Sequence, residues 1–186
     1  MKDTVQRASR KGGKVDLKLI LLAALALVLL IIGGSALRQR DASLERTTPQ
    51  FERMEVRQVK LLNDRGQQVS YAMRIAADSA EQQAGFQNIG RAILQRTLIL
   101  FVFPAEIVGR FHMRHVVAPL DIAFIASDGA IIDIERMEPD PTTSGPYRHL
   151  YGPDRPFQYA IEARAGFFKA QHISSGQAKL IVGSWR

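Results

Sequence analysis

The stretch RFHMRHVVAPLDIAFIASDGAIIDIERMEP, residues 110–139, constrains the fold more than any other part of the chain. It reads as three consecutive β-strands joined by two turn signals. Successive strand side chains point to opposite faces, so across residues 109–117 Phe111 and Met113 share one face while His112 and Arg114 share the other. Residues 121–126 and 130–137 then form a hairpin around Ser127-Asp128-Gly129. Just upstream, TLILFVF (residues 97–103) is a continuous apolar run ending at Pro104, and its β-branched and aromatic content makes it a fully buried strand.

The flanking segments supply the remaining elements. Residues 56–62 and 67–76 read as two strands around Asn63-Asp64-Arg65-Gly66, with Val69, Tyr71, Met73 and Ile75 alternating inward. Asp78 followed three residues later by Glu81 is a capping-box signal for a short helix ending near Gly85. In residues 86–96, Ile89, Ile93 and Leu94 mark a part that packs. Residues 157–163 form a strand, residues 165–172 a short helix that buries Phe167 and Phe168, and residues 179–182 a closing strand. Trp185 is a last packing anchor or an interfacial aromatic. The fold class expected is α+β: a small, mainly antiparallel β-barrel or sandwich over residues 54–186, with one or two short helices.

Residues 19–37 contain no charged side chain. Nineteen helical residues at about 1.5 Å each span roughly 28 Å, close to the hydrocarbon thickness of a bilayer. Six basic residues precede the run, and Arg38 and Arg40 follow it. The positive-inside bias therefore places a basic tail (1–18) in the cytoplasm, a single transmembrane helix at 19–37 in the inner membrane, and everything beyond it in the periplasm or outside. Residues 38–53 read as a solvated linker. A cleaved secretory signal is the competing reading, because Gly34-Ser35-Ala36 offers small residues at the end of the run. Ala23, Ala26, Gly33 and Gly34 lie roughly along one side of the helix, where small residues let another helix approach.

Charge and cysteine content remove several function classes. The net charge is +7, but eight basic and two acidic residues fall within residues 1–40, which leaves 17 basic against 16 acidic in the remainder. A nearly neutral domain lacks the electrostatic footprint of a nucleic-acid binder. With no cysteine, disulfides, thiolate metal sites and thiol nucleophiles are absent.

The pattern Phe111-x-Met113-x(5)-Pro119-Leu120-Asp121-x-x-Phe124-Ile125-x-x-Asp128-Gly129-x-Ile131, with Met137 and Pro139 beyond it, resembles the signature of domain-of-unknown-function family 192. The likeness extends upstream to Gly85 and to Leu100-Phe101-Val102-Phe103-Pro104. Downstream it takes in Tyr159-x-Ile161-Glu162-x-x-Ala165-Gly166 and Ile173-x-x-Gly176. It covers roughly residues 54–182 and implies a compact, mostly β domain, often exported in bacteria, with no settled activity. Two departures stand out. His112, Arg114, His115 and Val116 replace a Trp-like residue and a Lys-Asn-Thr run, and Gly85-Phe86-Gln87-Asn88-Ile89 replaces Gly-Leu-Met-x-Arg, with Arg91 displaced. Any polar pocket those positions form in relatives is lost or rebuilt here.

Candidate chemistry is sparse. No catalytic constellation, cofactor motif or metal set emerges: His112 and His115 at i and i+3 of a strand face opposite ways, and no helical His-x-x-x-His exists. Asp121 and Glu162 form a nominal acid/base pair, although Asp121 after Pro119-Leu120 reads better as a turn brace. Residues 138–156 hold five of the eight prolines and present Tyr147, Arg148, His149 and Tyr151 between them. Pre-ordered Tyr and Arg suit a contact surface. The expected function is a non-enzymatic, membrane-anchored extracytoplasmic protein, an accessory subunit docked on a larger integral-membrane complex, with the bilayer and that complex as partners. The alternatives are a free-standing envelope domain binding a small ligand or glycan near Arg114, His115 and Asp121, and an enzyme of unknown type.

Overall fold

The computed structural model describes residues 43–185 together with Lys18, Leu25, Leu27, Val28, Leu29 and Ile32. The chain divides into two compact units, Met1–Asp41 and Ala42–Arg186. In the first, the described residues are helical, and the apolar ones among them are exposed. Among the described residues no helix is long and apolar enough to cross a membrane. Most of the apolar run 19–37, including Ala23, Ala26, Gly33 and Gly34, lies outside them.

The second unit opens with helix α1 (Pro49–Arg53), strand β1 (Glu55–Leu62) and strand β2 (Gln68–Ala76). Helices α2 (Ser79–Ala84) and α3 (Arg91–Arg96) lead to strands β3 (Ile99–Ile107), β4 (Leu120–Ile125) and β5 (Ile131–Met137). Strand β6 (Phe157–Arg164), helix α4 (Phe167–Ala170) and strand β7 (Lys179–Leu180) complete it. The strands form one seven-stranded sheet in the order β5-β4-β6-β3-β2-β1-β7. Neighbours are antiparallel except β2 and β3, which run parallel because α2 and α3 carry the chain back across the sheet.

The expected barrel is not formed. β7 pairs with β1 and meets the far end of the sheet only at the bridge between Ala130 and Lys179. What replaces closure is burial of both faces. Leu100, Val102, Ala123, Ile125 and Ile161 pack on one side with Phe167 and Phe168. Ile99, Phe101, Ile122, Phe124 and Phe157 pack on the other with Phe51, Phe86 and Leu94. Where the sheet is covered on both sides no face is solvated, which is why β3 opens on an uninterrupted apolar run and every residue of β4 is buried; β1 and β2 keep an exposed face.

Several local signals form the structures they predict. Asp78 accepts from the Glu81 N–H while the Glu81 carboxylate accepts from the Asp78 N–H, giving the capping box of α2. The Asn63 side-chain oxygen accepts from the N–H groups of Arg65 and Gln67 and closes the first hairpin. Asp128 holds the second turn through the Ala130 N–H.

Three expectations change. Residues 109–117 are not a strand: Phe111 pairs with Tyr151 alone, and His115 turns the chain at a φ of 60°. The apolar alternation there is satisfied instead by Met113 and Val116 dropping into the core under the proline-rich loop. β3 also continues past Pro104, where a register shift between Val102 and Ile107 accommodates a residue with no N–H to donate. Finally, residues 43–53 are not a solvated spacer. Phe51 is wholly buried, the Arg46 carbonyl accepts from the Gly90 N–H, and Glu45 makes a two-point ion pair with Arg96.

Candidate functional site

The C-terminal end of α2, the tail of β3, the irregular segment around residues 109–112 and the proline-rich loop enclose a cleft of about 580 Å³. Phe86, Phe101, Phe103, Phe111 and Tyr147 form one part of its wall, and Gln82, Gln83 and Gln87 contribute amides to the rest. Phe111 packs edge-on against Phe101 at 5.2 Å and against Phe124 at 5.7 Å, so that wall is fixed by the core beneath it.

Glu162 forms part of the floor. It lies on β6 opposite Ile99 of β3 and Ile122 of β4, so its carboxyl emerges among apolar side chains. The residue is 5% exposed, and its Oε2 has no hydrogen-bond partner among the described residues. Loss of hydration pushes the carboxyl up from 4.5 to about 8, with no charged neighbour contributing. Above it Gly85 leaves room for approach: a Cβ there would stand 3.3 Å from Oε2 and 3.4 Å from the Phe101 ring.

The raised value has a measurable consequence. Between about 4.5 and about 8 the folded chain holds a proton that the unfolded chain has released, so this group makes stability fall as pH rises through that window and level off above it. Glu162→Gln should remove that slope. In thermal melts of the full-length protein, the variant is expected to gain on the wild type from pH 5 to about pH 8; parallel curves would contradict the assignment.

The mouth is built from the loop. Tyr147 stacks on the His112 ring at 4.3 Å and 12° and takes the Arg114 guanidinium at 4.3 Å from its centroid. Arg114 also donates to the Gly145 carbonyl at 2.7 Å. Burial, and then the nearby Arg114 charge, lower the His112 imidazole below its ordinary 6.5. Asp140 organises the loop by accepting from the Thr142 hydroxyl and N–H and from the Arg148 N–H. Those bonds hold its carboxyl down to about 2. Arg110, opposite, is occupied by the carbonyls of Gly152 and Pro153 and by the Asp154 carboxylate.

The residues singled out from the sequence divide among separate places. Tyr147 reaches the cleft, and Arg114 supports it from behind. Arg148, His149 and Tyr151 line a second hollow of about 420 Å³ with Glu138 and Asp140. His115 is exposed, and its carbonyl accepts from the Asn88 N–H. Asp121 is buried and accepts from Arg136 at 2.6 Å and from the Gly166 N–H at 2.6 Å. It is a turn brace, as its position after Pro119-Leu120 suggested. Arg114, His115 and Asp121 therefore share no pocket. The nominal Asp121/Glu162 pair is also undone, because Glu162 is registered with Ile122 and the two carboxylates point to opposite faces.

A profile of DUF192, described as Uncharacterized ACR, matches residues 60–180. The chain belongs to the DUF192 family. No curated protein matches it, but two solved structures share the DUF192 fold. One is a Sinorhizobium meliloti 1021 protein named as a candidate transcription regulator, with 24% identity, a TM-score of 0.57, and coverage of 68% of this chain and 95% of that one. The other, a protein of unknown function from Novosphingobium aromaticivorans DSM 12444, has 20% identity, a TM-score of 0.56, and coverage of 76% and 96%. α1 and the contacts of residues 43–53 precede the DUF192 match. Within it, Gly85, Phe86, Gln87 and His112 line the cleft. Arg91 ties α3 to the Val117 carbonyl at 3.0 Å.

Proposed function

We propose that this chain is a membrane-anchored, extracytoplasmic, non-enzymatic binding protein whose DUF192 domain holds a small ligand in the aromatic cleft. The observation that carries this reading is the floor of the cleft: Glu162, a buried carboxyl whose shielded Oε2 has no partner among the described residues, contributes to the lining of a cavity large enough for a small organic molecule. Burying such a group costs free energy unless something satisfies it. The uncharged run at 19–37 and the basic residues before it supply the anchor and its direction.

Docking on an integral-membrane complex is the second reading, supported by the proline-rich loop. Tyr147 and Leu150 are 45% and 48% exposed there on a loop already ordered by Asp140 and Arg114, which lowers the entropy cost of recognition. The two readings are compatible, since the loop forms the mouth of the cleft.

Two measurements test the proposal. Protease added to intact spheroplasts should digest the domain, and protection until lysis would refute the topology. With the full-length protein in lipid nanodiscs, methyl resonances of Ile107 and Val116 should shift on titration with 2-phenylethanol or 2-phenylethylamine. No response to either compound would refute ligand binding in the cleft.

A further inference from the structure

We infer that the cleft selects an organic ammonium, whose N–H groups donate to the Glu162 carboxylate while its apolar body lies against the Phe101 and Phe111 rings and the edge of Tyr147. The inference rests on the cleft being a binding site and names the chemistry of its occupant. Oε2 lacks a donor among the described residues, and no basic side chain is close enough to contribute to the carboxyl's titration. When the carboxyl ionises, no described side chain supplies its counter-charge. Charge-assisted N–H···O bonds in a desolvated site are the strong kind, and aromatic faces attract cations. Of the cations at the mouth, Arg110 is paired with Asp154 and Arg114 is turned onto the Tyr147 ring and the Gly145 carbonyl. His112 is held toward its neutral form, so it adds little positive charge at neutral pH.

An anionic ligand meets this floor only through the O–H of the protonated carboxyl and is repelled once that group ionises. A neutral alcohol donates one hydrogen bond without a compensating charge, and an ammonium provides both. Seating an ammonium displaces the proton that Glu162 carries at neutral pH, so binding should release one proton and tighten as pH rises toward about 8. On the elements packed around it, β3 and β4 present Ile99 and Ile122 in register with Glu162. The carboxylates of α2 and its cap, Glu81 and Asp78, are engaged with each other's backbone. Arg110 and His112 are the charged or titratable groups of the 109–112 segment. Glu162 is therefore the group whose proton couples to binding.

The experiment uses the full chain in nanodiscs and three probes of similar size: 2-phenylethylamine, 2-phenylethanol and 3-phenylpropionate. Calorimetry in buffers of differing ionisation enthalpy should show the amine binding tightest, with release of about one proton below pH 8. Affinity should rise about tenfold per pH unit between 6 and 7.5. Glu162→Gln should weaken the amine on the order of tenfold or more at pH 8 and abolish the proton release. Tyr147→Ala should weaken it several-fold, with a small fall in melting temperature from the lost His112 and Arg114 contacts. Alcohol binding as tight as amine binding, or amine binding unaffected by Glu162→Gln, would overturn the inference while leaving the cleft a binding site. Tightest binding of the propionate would overturn it as well.

Discussion

Replacing Phe51 with alanine is expected to destabilise the domain by about 3–5 kcal/mol, the range for emptying a buried aromatic site. Phe51 is fully buried, its ring lies 6.1 Å from that of Phe86, and the Arg74 guanidinium sits 4.2 Å above it. Arg74 also donates to the carbonyls of Phe51 and Met54 at 2.8 and 3.2 Å. Loss of the ring thus removes a packing partner and loosens the arginine that ties α1 to β2. Thermal and urea denaturation of full-length wild type and variant measure the effect, and a loss below about 1 kcal/mol would mean that the segment is detached in solution. The same contacts imply that a fragment starting at Met54 should be unstable and one starting at Ala42 stable.

Gly129→Ala is the second large effect. The residue sits at a φ of +85° in the β4–β5 turn, and a Cβ there would come within 2.1 Å of the Leu180 carbonyl oxygen. The left-handed conformation alone costs about 1–2 kcal/mol for a residue with a side chain. The clash with backbone must in addition push β7 away, breaking the bond from the Leu180 N–H to the Gly129 carbonyl at 2.8 Å. A total of about 3 kcal/mol or more is expected, with amide protection lost at Leu180 and Ile181. Gly66→Ala is the control: its φ is +72° and nothing lies within 4 Å of the added methyl, so it bears the conformational cost without the collision. Equal losses for the two variants would remove the close approach as the cause.

These contrasts explain which parts of the fold were legible in the sequence. The two hairpins and the capping box depend on residues a few positions apart or on turn chemistry, and such signals survive without tertiary context, whereas the Asp121 brace reaches the distant Gly166 and Arg136. The parallel pairing of β2 with β3 and the docking of residues 43–53 depend on distant partners. Residues 109–117 carried strand-like alternation, yet single contacts with Tyr151 and Asp140 replaced a ladder. Tyr147 was legible as a presented aromatic in a proline-rich loop. Glu162 was harder to find. In FQYAIEAR it alternates with Tyr159, Ile161 and Ala163 and shares parity with Gln158, the pattern of a strand with one wet face. Only the cover provided by α2 and the loop buries that face, and no local pattern reports it.

The unjoined ends of the sheet have a consequence for how such molecules behave when crowded side by side. A strand end without a partner is a template on which a neighbouring chain can add its own backbone. Here the Ile134 N–H of β5 is taken by the Asp133 carboxylate at 2.8 Å. That local bond occupies one donor along the β5 border, so Asp133→Ala should hasten fibrous self-assembly, read by thioflavin fluorescence of the concentrated full-length protein.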